Sequence, residues 1–377
     1  MAHPPTLDVA ALRRALALPD LTDPADGPHA MQRLVTAACR ALEALGCPVR
    51  VVRANPVVTV RDNYDDLHYP ADGAARDARY TRYVADGVLL RTQTSALVPG
   101  ALRRLARESE PLSDVVLACP GVVYRRDCID RLHVAEPHQL DLWRVRRGER
   151  LGVADLETMI AVVVKALLPG RRWRTLDAQH PYTTDGRQID VADGAGGAWV
   201  EIGECGLALP ALLHASGLGD EATGLAMGLG LDRILMLRKG LDDIRLLRTA
   251  DPRVASQMLD LSPYRPVSSM PPVRRDLSIV VAKVPDAEEL GDRVRACLGR
   301  DAELIEEVAI VSVTPAEALP GAAARRLGIA PGQVNVLLRL VLRALGRTLT
   351  HAECNVLRDR VYEACHEGSA WHWAARS

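Results

Sequence analysis

The sequence predicts an α+β protein in two parts, a largely antiparallel sheet flanked by helices followed by a small βαββαβ domain. Three observations predict it. From residue 48 onward, β-branched runs follow one another between Gly- and Pro-bearing turns. Helical patterns interrupt these runs. A Pro-rich stretch, SPYRPVSSMPPVRRD, then separates the first rhythm from a second. The 377-residue length agrees, because a domain averages about 150 residues.

Residues 1–47 read as an N-terminal helical arm, with a helix from Ala30 to Leu45 after the breaker-rich PDLTDPADGP. The core is placed at 48–261. Its strands are VRVVRANPVVTV, GVLLRTQTS, DVVLACPGVVYRR, HQLDLWRV and GAWVEIG, and its helices run over Leu97–Glu108, Asp155–Leu168 and Gly228–Arg238. A linker over 262–275 leads to a domain at 276–377. There the spacing predicts a strand over Asp276–Val284, a helix over Asp286–Leu298, and strands at Glu303–Val313 and VNVLLRLVLRA. A helix capped by Thr350 and Glu353 follows, then a final strand near Trp371–Ala374. This is the split βαβ order of a ferredoxin-like domain.

Composition narrows the function classes. Hydrophobic content of 48% with 25% charged residues fits a folded protein with a sizeable core. No apolar run approaches membrane-span length, and the first residues lack a secretory pattern, so a cytoplasmic protein with no membrane partner is expected. The formal net charge of −1 supplies no global field for nucleic acid. The eight cysteines include no C-x-x-C pair, which argues against structural zinc or a disulfide frame. Three of the 47 basic residues are lysines (Lys165, Lys239, Lys283), and the chain contains no Phe.

Two segments carry chemistry. Val123-Tyr124-Arg125-Arg126-Asp127, a loop with His133, and Pro137-His138-Gln139-Leu140-Asp141 form a strand–loop–strand unit that can aim Arg and His at one anion. By spacing alone an ordinary charged hairpin accounts for it better. The second segment, Gly224 to Arg233, sets a glycine-rich strand before a helix carrying an Arg, which suits close approach to a ligand. It matches neither a Walker A loop nor a dinucleotide fingerprint.

Together with LLRTQTS (89–95) and VEIGECG (200–206), the segments VYRRDCIDRLHVAEPHQLD (123–141) and GLAMGLGLDRILMLRKGLDDIRLLRTADPR (224–253) resemble a class II aminoacyl-tRNA synthetase, specifically phenylalanyl-tRNA synthetase. The stretch from MPPVRRDLSIVV to RTLTHAECNVLRDRV resembles that family's ferredoxin-fold anticodon-binding domain. Both on one chain resemble the single-chain organellar layout, which implies a monomer. The resemblance implies ATP-dependent activation of an amino acid and its transfer to tRNA, with Mg²⁺ bridging the phosphates. It assigns Arg125 to the α-phosphate, Arg233 to the γ-phosphate and His133 to the departing pyrophosphate. Asp127, Pro137 and Glu201 fall in the ATP site, Glu201 as a metal ligand. Gln93, Thr94, Ser95, Gln139, Asp141 and Ala226 fall around the amino acid, and Arg339, Arg343, Arg347 and Arg358 are expected to contribute RNA affinity.

This chain departs from the family at several of these positions. Asp141 stands for Glu, Pro137 for an adenine-stacking Phe, and His180-Pro181-Tyr182 for the Phe-Pro-Phe that clamps a phenyl group. Glu204 replaces Gly, where a buried, unpaired carboxylate would be costly. Asp141, His180, Tyr182 and Glu204 suit a substrate more polar than Phe. Three readings stay open: a phenylalanyl-type ligase, a paralogue that activates a polar amino acid for specialised metabolism, and a catalytically weak tRNA-binding or regulatory paralogue.

Overall fold

The computed structural model describes residues 5–78, 80–109, 113–126, 128–194, 197–267 and 271–371. The chain divides into two compact units. One comprises 1–125, 136–241 and 257–264; the other comprises 126–135, 242–256 and 265–377.

In chain order the strands of the first unit are β1 (Val49–Val51), β2 (Val57–Thr59), β3 (Tyr83–Ala85), β4 (Val88–Leu90), β5 (Asp114–Val122), β6 (His138–Arg147), β7 (Trp173–Asp177), β8 (Thr183–Ala192), β9 (Trp199–Ala208) and β10 (Ala222–Gly230). Seven form one sheet in the order β1-β5-β6-β10-β9-β8-β7, and β2-β4-β3 form a second. In the large sheet β1 runs parallel to β5, and every other pairing is antiparallel. Its helices are α1 (Val9–Leu16), α2 (Ala30–Glu43), α3 (Val98–Ala106), α4 (Val153–Leu167), α5 (Pro210–Ala215) and α6 (Leu231–Lys239).

Residues 1–47 are no detached arm. Helix α2 buries Met31, Leu34, Val35, Ala38 and Leu42 and packs against α4 and α6. Each buried Leu is worth about 1.5–3 kcal/mol, enough to hold the segment in the unit. The helix expected to begin at Gly228 begins at Leu231, because Gly228 and Gly230 continue the β10 ladder.

The second unit contains α7 (Pro252–Ala255), β11 (Val273–Val281), α8 (Ala287–Leu298), β12 (Ile305–Pro315), α9 (Gly321–Leu327), β13 (Val334–Leu342) and α10 (His351–Cys365). Its sheet is antiparallel in the order β11-β13-β12, with β13 central as a split βαβ requires. The Thr350–Glu353 capping box forms as expected. Of the final strand expected near Trp371–Ala374, residues 372–374 lie outside the described residues. The boundaries at 48–261 and 276–377 also differ from the division found. The loop 126–135 joins this second unit through Ile129, which packs with Leu277, Ile279 and Leu340. Arg295 holds that loop by donating to the Cys128 carbonyl at 2.7 Å.

The arginines expected to bind RNA are occupied by carboxylates. Arg339 pairs with Asp276 at 2.7 Å, Arg343 with Glu306 at 2.7 Å, Arg347 with Glu353 at 2.8 Å, and Arg358 with Asp359 at 2.6 Å.

Candidate active site

Register across β6, β10 and β9 builds the site. Asp141 lies opposite Gly228, and Gly228 opposite Glu204; Trp143 lies opposite Ala226, and Ala226 opposite Gly206. Cross-strand partners share a face, and so do alternate residues on one strand. Gln139, Asp141, Trp143, Ala226, Gly228, Glu204 and Gly206 therefore line one surface, with small residues along its middle. The result is a trough. A side chain at Gly206 would strike Thr183 Cβ at 2.7 Å, so its absence lets the His180–Thr183 turn cross there. That crossing lays Tyr182 on the Trp143 ring, with centroids 5.8 Å apart and planes 29° apart.

Hydroxyls converge on Asp141. Thr94 Oγ1 donates to Asp141 Oδ2 at 2.7 Å, Ser95 Oγ to Oδ1 at 2.9 Å, and Trp143 Nε1 to Oδ1 at 3.4 Å. Burial nevertheless pushes the Asp141 carboxyl up, because three donors only partly replace lost water. Gln139 Oε1 accepts from the Thr94 backbone N–H at 3.2 Å, fixing the turn that carries Thr94 and Ser95. Gln93 faces the other way, accepting from Tyr69 at 2.8 Å and donating to the Asn63 carbonyl at 3.0 Å. Burial carries the Tyr69 phenol up to about 12, and it carries Tyr182 well above its usual range, with Tyr69 and Asp141 adding to the effect. Both rings stay neutral, hydrogen-bonding walls at ordinary pH. Trp143 was legible in the sequence as the next same-face residue after Asp141; Tyr69, 24 residues from its partner Gln93, carried no local signal.

The anion-binding end contains Arg125 and Arg233. Arg125 Nε donates to the Thr92 carbonyl at 2.8 Å, and Arg233 Nη1 to the Glu201 carbonyl at 2.9 Å. Neither forms an ion pair among the described residues. Partial burial and the neighbouring Glu204 raise the Glu201 carboxyl, while Arg233 and Arg125 pull it down, so both guanidiniums lie within electrostatic reach of Glu201. The Thr92 carbonyl that holds Arg125 lies two residues before Thr94, which donates to Asp141, so one short segment serves both groups. A buried link that the sequence did not reveal sets this geometry. The His138 backbone N–H and Nδ1 both meet the Asp232 carboxylate, the ring contact being 3.2 Å. The Leu21 N–H donates to His138 Nε2 at 3.1 Å, so the ring proton sits on Nδ1. Asp232 immediately precedes Arg233, so the start of β6 orients α6.

Pro137 is half-buried, and its carbonyl accepts from the Val123 N–H at 2.8 Å. Asp127 lies outside the described residues. His133 belongs to the second unit, where Nδ1 lies 2.8 Å from Asp130 Oδ2. The side chains with metal-ligating potential grouped among the described residues are Cys128, Asp130 and His133, not Glu201. Glu201 supplies a single carboxylate between two guanidiniums. That fits a Mg²⁺ ion held mainly by substrate phosphates, which needs only one or two protein carboxylates.

Glu204 is not buried: its side chain is 46% exposed, and Oε2 lies 2.8 Å from His180 Nε2, itself 9% exposed. The contact is close but misaligned, leaving Nε2 buried without a formed hydrogen bond. His180 Nδ1 lies 3.2 Å from Thr183 Oγ1.

A sheet of this topology, with two unpaired arginines beside a hydroxyl-lined trough, defines a class II aminoacyl-tRNA synthetase core, and the family described as "tRNA synthetases class II core domain (F)" matches residues 23–258. The phenylalanine–tRNA ligase alpha subunit of Prochlorococcus marinus (strain MIT 9313) is 34% identical over 242 residues, covering 63% of this chain and 69% of its own length. That of Nostoc punctiforme is 33% identical over 254 residues, covering 67% and 71%. The chain belongs to the phenylalanine–tRNA ligase alpha-subunit family and is a tRNA ligase. Among solved structures, PylSc, a pyrrolysyl-tRNA synthetase from Desulfitobacterium hafniense, overlaps 59% of this chain and 74% of its own at 17% identity and a TM-score of 0.44. No described helix is long and apolar enough to cross a membrane.

Proposed function

We propose that the chain condenses an α-amino acid with ATP to an aminoacyl-adenylate and pyrophosphate, then transfers the acyl group to a tRNA. The observation that carries this reading is the position of Arg125. It forms no ion pair among the described residues, and its Nε is held by the carbonyl of Thr92, two residues before the Thr94 and Ser95 that converge on Asp141, while Arg233 is held by the carbonyl of Glu201. A substrate carboxylate oxygen attacking the α-phosphorus, with the bond to the β-phosphate breaking, builds negative charge between the amino-acid end and Arg233. A fixed guanidinium there stabilises the transition state more than the ground state. Arg233 holds the far end of the triphosphate. Gln139, Thr94 and Ser95 position the amino acid. Glu201 would help hold Mg²⁺, which would supply neutralisation of phosphate charge. A tRNA hydroxyl then attacks the acyl carbon and AMP leaves.

The main segment of the second unit, 265–377, lies beyond residue 258, where the family match ends, and its resemblance to an anticodon-binding domain supports tRNA as the acceptor. One chain bearing both units supports a monomer.

Amino-acid-dependent ATP–pyrophosphate exchange by the chain purified alone, with its mass measured by light scattering, tests the reading. Arg125→Ala and Arg233→Ala should each lower exchange by about 10²–10³-fold while melting as the parent does. Exchange within tenfold of the parent in both, or none from the parent with any amino acid, would overturn it.

A further inference from the structure

We propose that Glu204, backed by His180, is a specificity-determining residue that selects an α-amino acid whose side chain ends in a hydrogen-bond donor or a cation. This deepens the aminoacylation reading and rests on it.

The register carries the first step. Asp141, Gly228 and Glu204 stand in line on three adjacent strands. With strands about 4.8 Å apart, the two acidic residues bracket a gap of about 10 Å floored by glycine. A trough that could have been closed by one apolar side chain instead has a carboxylate on each bank.

The two carboxylates differ in what remains to them. Asp141 is buried and already engaged: Thr94, Ser95 and Trp143 all donate to it. The one charged contact of Glu204 among the described residues is His180 Nε2 at 2.8 Å, and that contact is misaligned. A carboxylate offers acceptors only, and this contact leaves those of Glu204 without a formed hydrogen bond from His180. Acceptors demand donors. The Tyr182 ring stacks on Trp143, and its centroid lies 6.2 Å from that of His180, the neighbour of Glu204. The wall below Glu204 is thus aromatic and suits a flat or apolar stem, while the rim suits a polar tip.

A phenyl ring in this trough would cover Glu204 and strip its water without replacing it. Leaving a carboxylate without donors is the kind of mismatch that rejects an analogue strongly. A ring or chain ending in –OH or –NH₃⁺ meets the carboxylate instead.

The test is pyrophosphate exchange by the full chain with phenylalanine, tyrosine, 4-aminophenylalanine, 4-(aminomethyl)phenylalanine and lysine. A donor-bearing substrate should exceed phenylalanine in kcat/KM by ten- to a hundredfold. Glu204→Gly combined with His180→Phe should bring that ratio to unity or below. Glu204→Gln, which keeps the shape should the double variant misfold, should lose the preference for the cationic over the hydroxylated side chain. If the parent exchanges but favours phenylalanine, or its ratio is unchanged in Glu204→Gln, the specificity proposal fails and aminoacylation stands. If folded parent exchanges with no amino acid, both fall.

Discussion

Shortening a carboxylate by one methylene changes what it can reach, and Asp141 reaches Thr94 and Ser95 at 2.7 and 2.9 Å. A longer Glu, as the family pattern has it, would extend past those hydroxyls toward the trough. The charge at this position has been drawn into the protein, where it orders two hydroxyls. Burial raises the Asp141 carboxyl above its unfolded value, and the sign of the linkage follows. Protonated Asp141 is the form the fold prefers. Its stabilising contribution is full below the unfolded carboxylate value and is lost as pH rises through the raised folded value. Asp141→Asn removes this titration. The melting temperature of Asp141→Asn minus that of the parent should therefore increase from pH 4 to pH 7, whatever constant offset the altered hydrogen bonds impose. Thermal melts at four or five pH values read it, and a difference that stays flat or falls would mean that the donors outweigh burial at this site.

Glycines do the corresponding work at the scale of strands. At Gly203 on β9 a Cβ would lie 2.1 Å from the Gly228 carbonyl on β10, a backbone atom with no room to give. Gly203→Ala should therefore pry β9 from β10 and cost about 1–3 kcal/mol, seen as a lower denaturation midpoint. Gly100 on α3 is the control, because its Cβ would meet nothing closer than the end of Arg104 at 3.6 Å. Gly100→Ala should stabilise by up to about 1 kcal/mol through helix propensity. Equal effects from the two would refute the packing argument. These strands were legible because β-branched alternation and glycine spacing are local signals: VEIGECG and GLAMGLG fall within β9 and β10. What the sequence hid was long-range. Nothing near residue 180 announces that His180 meets Glu204 across a bulged β8–β9 ladder. Nothing near residue 129 announces that Ile129 enters the core of the C-terminal unit. Contacts of that kind arise from register and packing, which periodicity does not encode.

For the molecule as a whole, the absence of Phe is absorbed by aliphatic packing. Met227, Leu247 and Met258 are all buried, so the cores close without phenyl rings. Charge follows a similar economy. With a net charge of −1, tRNA must be held by local cations, and a guanidinium already paired with a carboxylate releases few counterions from a phosphate backbone. Arg339 and Arg347 are so paired. Arg325 and Arg326, exposed in the last turn of α9, have no ion pair among the described residues. If the C-terminal unit binds tRNA, the slope of log affinity against log salt should fall by about one for each of Arg325 and Arg326 changed to Ala. It should hardly move for Arg339→Ala with Arg347→Ala. Filter binding of tRNA between 50 and 200 mM salt, roughly the range over which such contacts are lost, distinguishes these outcomes. The opposite ranking would show that the Asp276 and Glu353 pairs open to admit phosphate, and would move the RNA-binding surface from α9 to the β13 face and the start of α10.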